Sequence, residues 1–325
     1  MAQKTIYLFH GDDSYTAYQK ANHWRAEFEK KYGDFNVHVL DGSDLSAGGF
    51  SEAADTLPFL SEKKLIILKS FLAEAPIEEL RKVAEKLENV GDHCIIVFLE
   101  RNRADSRTAL FKNIKKHGQL MEFTGMDTPE LAQWITQETT KKGGRIGNRE
   151  SASLAETVGA NLWQMSQEIE KLTLYSKDSA ITEENIENLT SPNLSSTVFK
   201  LTDHLAQKNR KASLKTLNTL IESGENLIPI LFMLVRHIRI LLQIKDCLDK
   251  KMKSPEIIKK TKEHPFTVNN AMKQSQNFSE EKLGAMYGML LKMDIATKSG
   301  TIKMTTGDNT ELRLALEKFI VELCA

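Results

Sequence analysis

The chain has 325 residues, room for two or three domains, and 27% of them are charged, with 44 basic against 44 acidic. That balance argues against strong autonomous binding to DNA or a membrane surface, and aromatic residues at 7% offer few platforms for stacking bases. Three scattered cysteines, Cys94, Cys247 and Cys324, fit no zinc or disulfide spacing and suit a reducing cytosol.

Charged and polar residues interrupt the start early, so no signal peptide is expected and the location expected is cytoplasmic. Ile6–Phe9 reads as a buried strand, Gly11 breaks it, and a helix is expected over Tyr15–Tyr32. Strand, glycine, helix is where nucleotide-binding proteins place a phosphate loop. Such a loop needs several small residues and a Lys followed by Ser or Thr. Here Asp12 and Asp13 follow the glycine, and Lys20 comes late and precedes Ala21. Carboxylates at a helix N-terminus repel phosphate, so no nucleotide is expected at this corner, where Asp and Ser serve as helix caps.

Further strands are expected at Val37–Leu40, Lys64–Lys69, Cys94–Leu99 and Gln119–Phe123, with helices such as Ile77–Asn89 and Arg107–Lys116 between them. This alternation predicts an α/β domain over residues 1–125 with a largely parallel sheet. "HCIIVFLE" has the unbroken apolar character of a central strand covered on both faces. An ATPase places acids for Mg²⁺ at the end of such a strand. This one ends Glu100-Arg101-Asn102, a single acid beside an arginine, and reads as a solvated strand end. Lys112, Lys115 and Lys116 form a basic helix face, as do Lys259, Lys260 and Lys262. Both read as solvated, though the first set could touch DNA backbone if a partner positions it.

"ADTLPFLSEKKLIIL", residues 54–68, stands apart. Pro58 disfavours a helix interior and a central strand, so Leu57, Phe59 and Leu60 fall on a turn or short helical corner before a strand. They either plug the domain core or form an exposed plug for a partner's pocket.

Beyond Asp127 strand signals almost vanish. "TPEL" at 128–131 is a helix start, with Thr128 as cap, Pro129 at the first helical position and Glu130 at the positive end. "SPEI" at 254–257 repeats the logic, "TEEN" at 182–185 is a weaker version, and Ser279 opens a helix with apolar spacing Leu283, Met286, Leu290, Met293. "KKGGRIGN" (141–148) and "TSPNLSS" (190–196) read as loops, the second as a hinge between a small helical unit and a larger C-terminal one. The apolar run Leu227 to Val235 is too short to span a bilayer and meets Arg236-His237-Ile238-Arg239. It opens a segment to Leu248 whose apolar residues, including Leu231, Leu234, Val235, Ile238, Leu241, Leu242 and Ile244, make a wide stripe. The eight histidines show no ligand spacing, and neither HExxH nor GxSxG is present.

"YLFHGDD", "LPFLSEKKLIIL", "STVFKLTDHLAQKN", "LIPILFMLVRHIRILLQIKDCL", "HPFTVNNAMKQSQNFS" and "DIATKSG", in this order and spacing, resemble the delta-subunit family of the bacterial DNA polymerase III clamp loader over essentially the whole chain. The resemblance implies an AAA+-like α/β domain with a degenerate nucleotide site (1–125), a small helical lid domain (126–194) and an all-α collar domain that holds other loader subunits (195–325). It implies a subunit that binds and opens the sliding clamp ring for loading onto primed DNA during replication. ATP-driven partner subunits would act on it, while the chain itself carries no ATPase activity, cofactor or metal. It would serve within a DNA-directed DNA polymerase holoenzyme, touch DNA only inside the assembled complex, and have no membrane contact. In the family, adjacent large apolar residues enter a hydrophobic pocket on the clamp. The matching positions are Leu57 to Leu60, with Phe59 carried over most directly and either Leu57 or Leu60 as its companion. Pro58 departs from the pattern, since the family often has Leu directly before Phe. The rival classes are a nucleotide-binding AAA+-type ATPase, which a Gly-Lys-Ser/Thr would have supported, and a stand-alone DNA-binding protein, which a basic excess would have supported.

Overall fold

A computed structural model describes residues 5–177, 179–190, 194–222, 226–303 and 309–325. Two units make it up, Met1–Gly125 and Met126–Ala325. In the first, the elements run β1 (Ile6–Gly11), α1 (Ser14–Tyr32), a 3₁₀ turn (Asp34–Asn36), β2 (Val37–Asp41), α2 (Ala47–Asp55) and β3 (Lys64–Lys69). They continue with a short α3 (Phe71–Glu74), α4 (Ile77–Leu87), β4 (Cys94–Leu99), α5 (Ala109–His117) and β5 (Gln119–Phe123). The sheet is parallel throughout, in the order β2-β3-β4-β1-β5. Its central strands are apolar on both sides because helices cover both sides. Leu8, Ile66, Leu68, Ile96 and Phe98 pack under Phe50, Val83 and Leu110 from α2, α4 and α5. Phe9, Leu65, Ile67, Val97 and Leu99 pack under Ala17, Ala21 and Phe28 from α1.

Every expected strand is present, with β1 running on to Gly11 and β2 to Asp41. Helix α2 was hidden in the sequence by Gly48-Gly49, which lower helix propensity. Ser46 starts it by accepting the Gly49 N–H at 3.1 Å.

The second unit is helical: α6 (Thr128–Lys141), α7 (Asn148–Val158), α8 (Leu162–Ser176), α9 (Glu183–Leu189), α10 (Leu194–Ala206), α11 (Arg210–Glu222), α12 (Leu227–Asp249), α13 (Ser254–Thr261), α14 (Pro265–Ser275), α15 (Glu280–Lys298) and α16 (Thr310–Leu323). Two expected caps move by one residue. At α6 the cap is Asp127, not Thr128: Asp127 accepts the Glu130 N–H at 3.0 Å while Glu130 accepts the Asp127 N–H at 2.9 Å. At α13 the Ser254 hydroxyl is diverted to Asn269, and Glu256 instead accepts the Lys253 N–H at 2.8 Å. Thr182 and Ser279 cap as expected. Of the expected hinge at 190–196, residues 191–193 lie outside the described residues, and α10 already begins at Leu194.

Helix α12 extends well beyond the apolar run and, by length and hydropathy alone, could cross a membrane. Leu231, Leu234, Ile238, Leu241 and Ile244 are instead buried in the core of this unit with residues of α10, α14, α15 and α16. On the same helix His237 is buried and donates to the Gln274 side chain, which donates on to Asp203 at 2.8 Å and to the Phe199 carbonyl at 3.1 Å. This network ties α12 and α14 to α10.

Burial pushes the His237 imidazole down to about 4. The group is neutral in the fold and ordinary in the unfolded chain, so its contribution is full above about 6.5 and lost as pH falls through 4. About 3 kcal/mol of stability should disappear over that window. Denaturant unfolding between pH 7 and pH 4 should show a shallower acid slope for His237→Gln than for wild type.

Candidate functional site

At the first corner, Gly11 has φ +142° and lies so close to β5 that a Cβ there would sit 2.0 Å from the Phe123 carbonyl oxygen. The glycine is therefore needed for strand packing, not to wrap a phosphate. Asp13, itself buried, accepts the Thr16 N–H at 2.9 Å and so occupies the N-terminal anion position of α1. Asp12 turns outward to Arg103, 2.9 Å away, and Arg103 also lies 3.4 Å from Glu122. The positive end of the helix is thus met by the chain's own carboxylate.

The end of β4 corrects the sequence reading. Glu100 is not solvated; it is buried, and its carboxylate accepts the N–H groups of Leu72 at 2.9 Å and Ala73 at 3.2 Å. These are free donors in the first turn of α3. Burial pushes the carboxyl up to about 7 against the pull of those two donors. Arg101 and Asn102 are exposed, as expected. Among the described residues no group of three His, Cys, Asp or Glu side chains could hold a metal ion.

The Pro58 corner is built differently. It joins α2 to β3 without regular structure. Leu57, Phe59 and Leu60 are 75%, 62% and 92% exposed, so none of them plugs the core. Their backbone is nonetheless held. Asn36, only 3% exposed, grips Phe59 from both sides: its Oδ1 accepts the Phe59 N–H at 2.7 Å and its Nδ2 donates to the Phe59 carbonyl at 3.0 Å. The same Nδ2 donates to the Tyr32 carbonyl at 2.6 Å, the last residue of α1. Lys64, the first residue of β3, is buried, and its ammonium donates to the carbonyls of Ala53 and Thr56 at the end of α2. Lys63 reaches the Asp92 carbonyl at 2.6 Å. Leu60 takes φ +46°, a left-handed conformation unusual for a residue other than Gly, Asn or Asp.

Phe35 completes the patch and was missed in the sequence. It is 74% exposed in the turn after α1, and its ring centroid lies 5.9 Å from that of Phe59. A lone aromatic beside Asp34 and Asn36 carries no signal until the fold brings the turn beside the corner. The expected basic faces stay solvated: Lys112, Lys115, Lys116, Lys259 and Lys262 are exposed, and Lys260 pairs with Asp246 at 3.3 Å.

Fold and corners define a class of protein: a parallel α/β unit whose phosphate-loop corner holds carboxylates in place of Lys-Ser/Thr, joined to a helical unit. The family model "DNA polymerase III, delta subunit" matches residues 7–124, and "DNA polymerase III delta subunit, C-terminal domain" matches residues 195–322. The chain belongs to the DNA polymerase III delta-subunit family. It is 26% identical over 328 residues to DNA polymerase III subunit delta of Bacillus subtilis (strain 168), covering 98% of this chain and 92% of that one. A probable DNA polymerase III subunit delta of Aquifex aeolicus (strain VF5) is 21% identical over 233 residues, covering 68% of this chain and 65% of that one. The solved structure of the Bacillus subtilis DNA clamp loader delta protein superposes with a TM-score of 0.70 at 26% identity, covering 98% of this chain and 95% of that one.

Ionising Glu100 in its buried place disfavours the fold. A carboxyl raised from 4.5 to about 7 contributes stability that is complete below 4.5 and lost as pH rises through 7. Between pH 5 and pH 8 the wild type should therefore lose stability relative to Glu100→Gln as pH rises, read as a steady change in the gap between their melting temperatures, whatever the absolute stability of the variant.

Proposed function

We propose that this chain is the clamp-contacting subunit of a bacterial replication clamp loader, acting in the cytoplasm on a sliding clamp ring and loading it onto primed DNA. The single observation that carries the reading is the Pro58 corner: three large apolar side chains exposed on a backbone held rigidly by buried polar groups. Exposed apolar clusters of this kind are contact surfaces, and a fixed backbone lowers the ordering cost of using one.

Phe59 with Leu57 or Leu60 would enter an apolar pocket of the clamp. Burying a phenylalanine of about 150–200 Å² at about 25 cal/mol per Å² gives at most about 4–5 kcal/mol before ordering costs. That energy opens a ring only to the extent that the open or strained ring is bound more tightly than the closed one. The chain would supply the wedge, and ATP-driven partner subunits would govern when the corner is exposed. Hydrolysis by this chain is not part of the reading, because Asp13 fills the anion position of α1 and Glu100 is committed to α3.

Residues 126–194 would form the lid and residues 195–325 the collar that holds the other subunits. Support for the collar role comes from α12 and α15, which leave Ile228, Phe232, Leu291 and Ile295 substantially exposed. Lys298 lies over the Phe232 ring at 5.8 Å, so these helices present one adjoining apolar face.

Calorimetric titration of the chain with ATP and Mg²⁺ should give no saturable heat at millimolar nucleotide; micromolar binding would remove the non-ATPase part of the reading. Phe59→Ala should leave the melting temperature nearly unchanged, since surface truncations fall within about 0.5 kcal/mol. The same change should weaken clamp binding by about 2 kcal/mol or more, measured by surface plasmon resonance against the immobilised clamp. Full-strength binding by that variant would refute the corner as the contact.

A further inference from the structure

The Pro58 corner is only half of an exposed aromatic surface. The other half comes from the turn that ends α1, more than twenty residues earlier in the chain. Gly33, at φ +85°, closes α1 by donating its N–H to the Glu29 carbonyl at 2.9 Å, and the Asp34 carboxylate then accepts the Phe35 N–H at 3.0 Å. This turn has two outputs. It sends Asn36 inward, where the amide grips both backbone groups of Phe59, and it leaves Phe35 outward against the Phe59 ring.

Left to itself, a turn residue 74% exposed gains nothing from being phenylalanine. Ser, Asn or Lys would serve the turn equally well and cost nothing in exposed apolar area. The two rings, at 5.9 Å and 59°, form one continuous apolar surface, so a pocket that closes over Phe59 also removes water from the facing side of Phe35. Aromatic residues in contact with each other, with a backbone locked beneath them, have the character of interface anchors.

We propose that Phe35 is a second anchor for the sliding clamp, and that Asn36 is the positioning residue that presents Phe59 to it. The inference rests on the clamp-contact reading of the Pro58 corner and deepens it: the docking element is two segments locked together, with the end of α1 as its rigid base. The pocket it fits is apolar and wide enough for a tilted pair of rings rather than a single side chain. Asn36 acts through Phe59 and makes no contact with the clamp itself. Its two hydrogen bonds to the Phe59 backbone keep the corner from sampling other conformations, which raises the fraction of molecules ready to bind.

The test is a double-mutant cycle on the full chain, with affinity for the purified clamp measured by surface plasmon resonance and folding followed by thermal melts. Phe35→Ala should weaken clamp binding by about tenfold or more with an almost unchanged melting temperature, as anchor truncations do. Combined with Phe59→Ala, its further effect should be clearly smaller, because the two rings share one pocket. Asn36→Ala should weaken binding in the wild-type background and have little further effect once Phe59 is alanine; a merely structural residue would weaken both backgrounds equally. Phe35→Ala binding within about twofold of wild type, while Phe59→Ala fails to bind, would overturn this inference and leave the clamp-contact reading intact. A wild-type chain that does not bind the clamp removes both. Loss of self-association on gel filtration in Phe35→Ala, with clamp binding retained, assigns the ring to a second copy of the chain and also overturns it.

Discussion

A buried ammonium at the head of β3 decides where the Pro58 corner can run. Lys64 sits at the start of a central strand, where the sheet leaves no room for a hydrated charge, and burial pulls its pKa down. The carbonyls of Ala53 and Thr56 satisfy it, and these are among the groups that the C-terminus of α2 leaves without partners. One side chain thus solves two desolvation problems and ties the end of a helix to the start of a strand. Between those fixed ends the chain has eight residues, 56–63, in which to turn. Asn36 pins the middle of that span at Phe59. With both polar tethers directed inward, the apolar side chains are left facing solvent, the reverse of the usual arrangement.

That inversion explains which parts were legible in the sequence. The parallel sheet was, because strands covered on both faces must be apolar runs, and "LIIL" and "CIIVFL" have few other uses. The helical second half was legible from its caps and apolar spacing, with errors of a residue where Asp127 took the role expected of Thr128. Phe59 and its neighbours were legible as unusual, since a proline among large apolar residues fits neither a helix nor a central strand. Asn36, Lys64 and Glu100 were not legible. Each is a polar residue of a type found mostly at the surface, and each is buried for a hydrogen-bonding task that exists only once separate segments meet. Phe35 was invisible for the same reason seen from outside: its partner lies 24 residues further along the chain.

The strand-to-helix corner at Gly11 is filled by the chain's own groups. The constraint on its glycine is space: a Cβ there would lie 2.0 Å from the Phe123 carbonyl oxygen. Its helix dipole still calls for an anion, and Asp13 supplies one covalently. At the end of β4 the acid that could have served a metal has been drawn into capping α3. At both strand ends, backbone N–H groups at the start of a helix are thus satisfied by a carboxylate of the chain itself.

In the wedging role proposed for it, the corner needs a stiff support more than it needs affinity. Under that proposal, a loose corner would itself be ordered on binding, and the free energy of contact would reach the partner only when the corner yields less than the partner does. The physical signature of such a device is an apolar tip on a backbone over-determined from beneath, with strain held in place by its surroundings. Leu60 in the left-handed region, at the tip of a span fixed by Asn36 and Lys64, carries that signature. Rigidity and exposure are thus two consequences of the same hydrogen bonds, since the groups that hold the corner in shape are also the ones that keep its apolar residues out of the core.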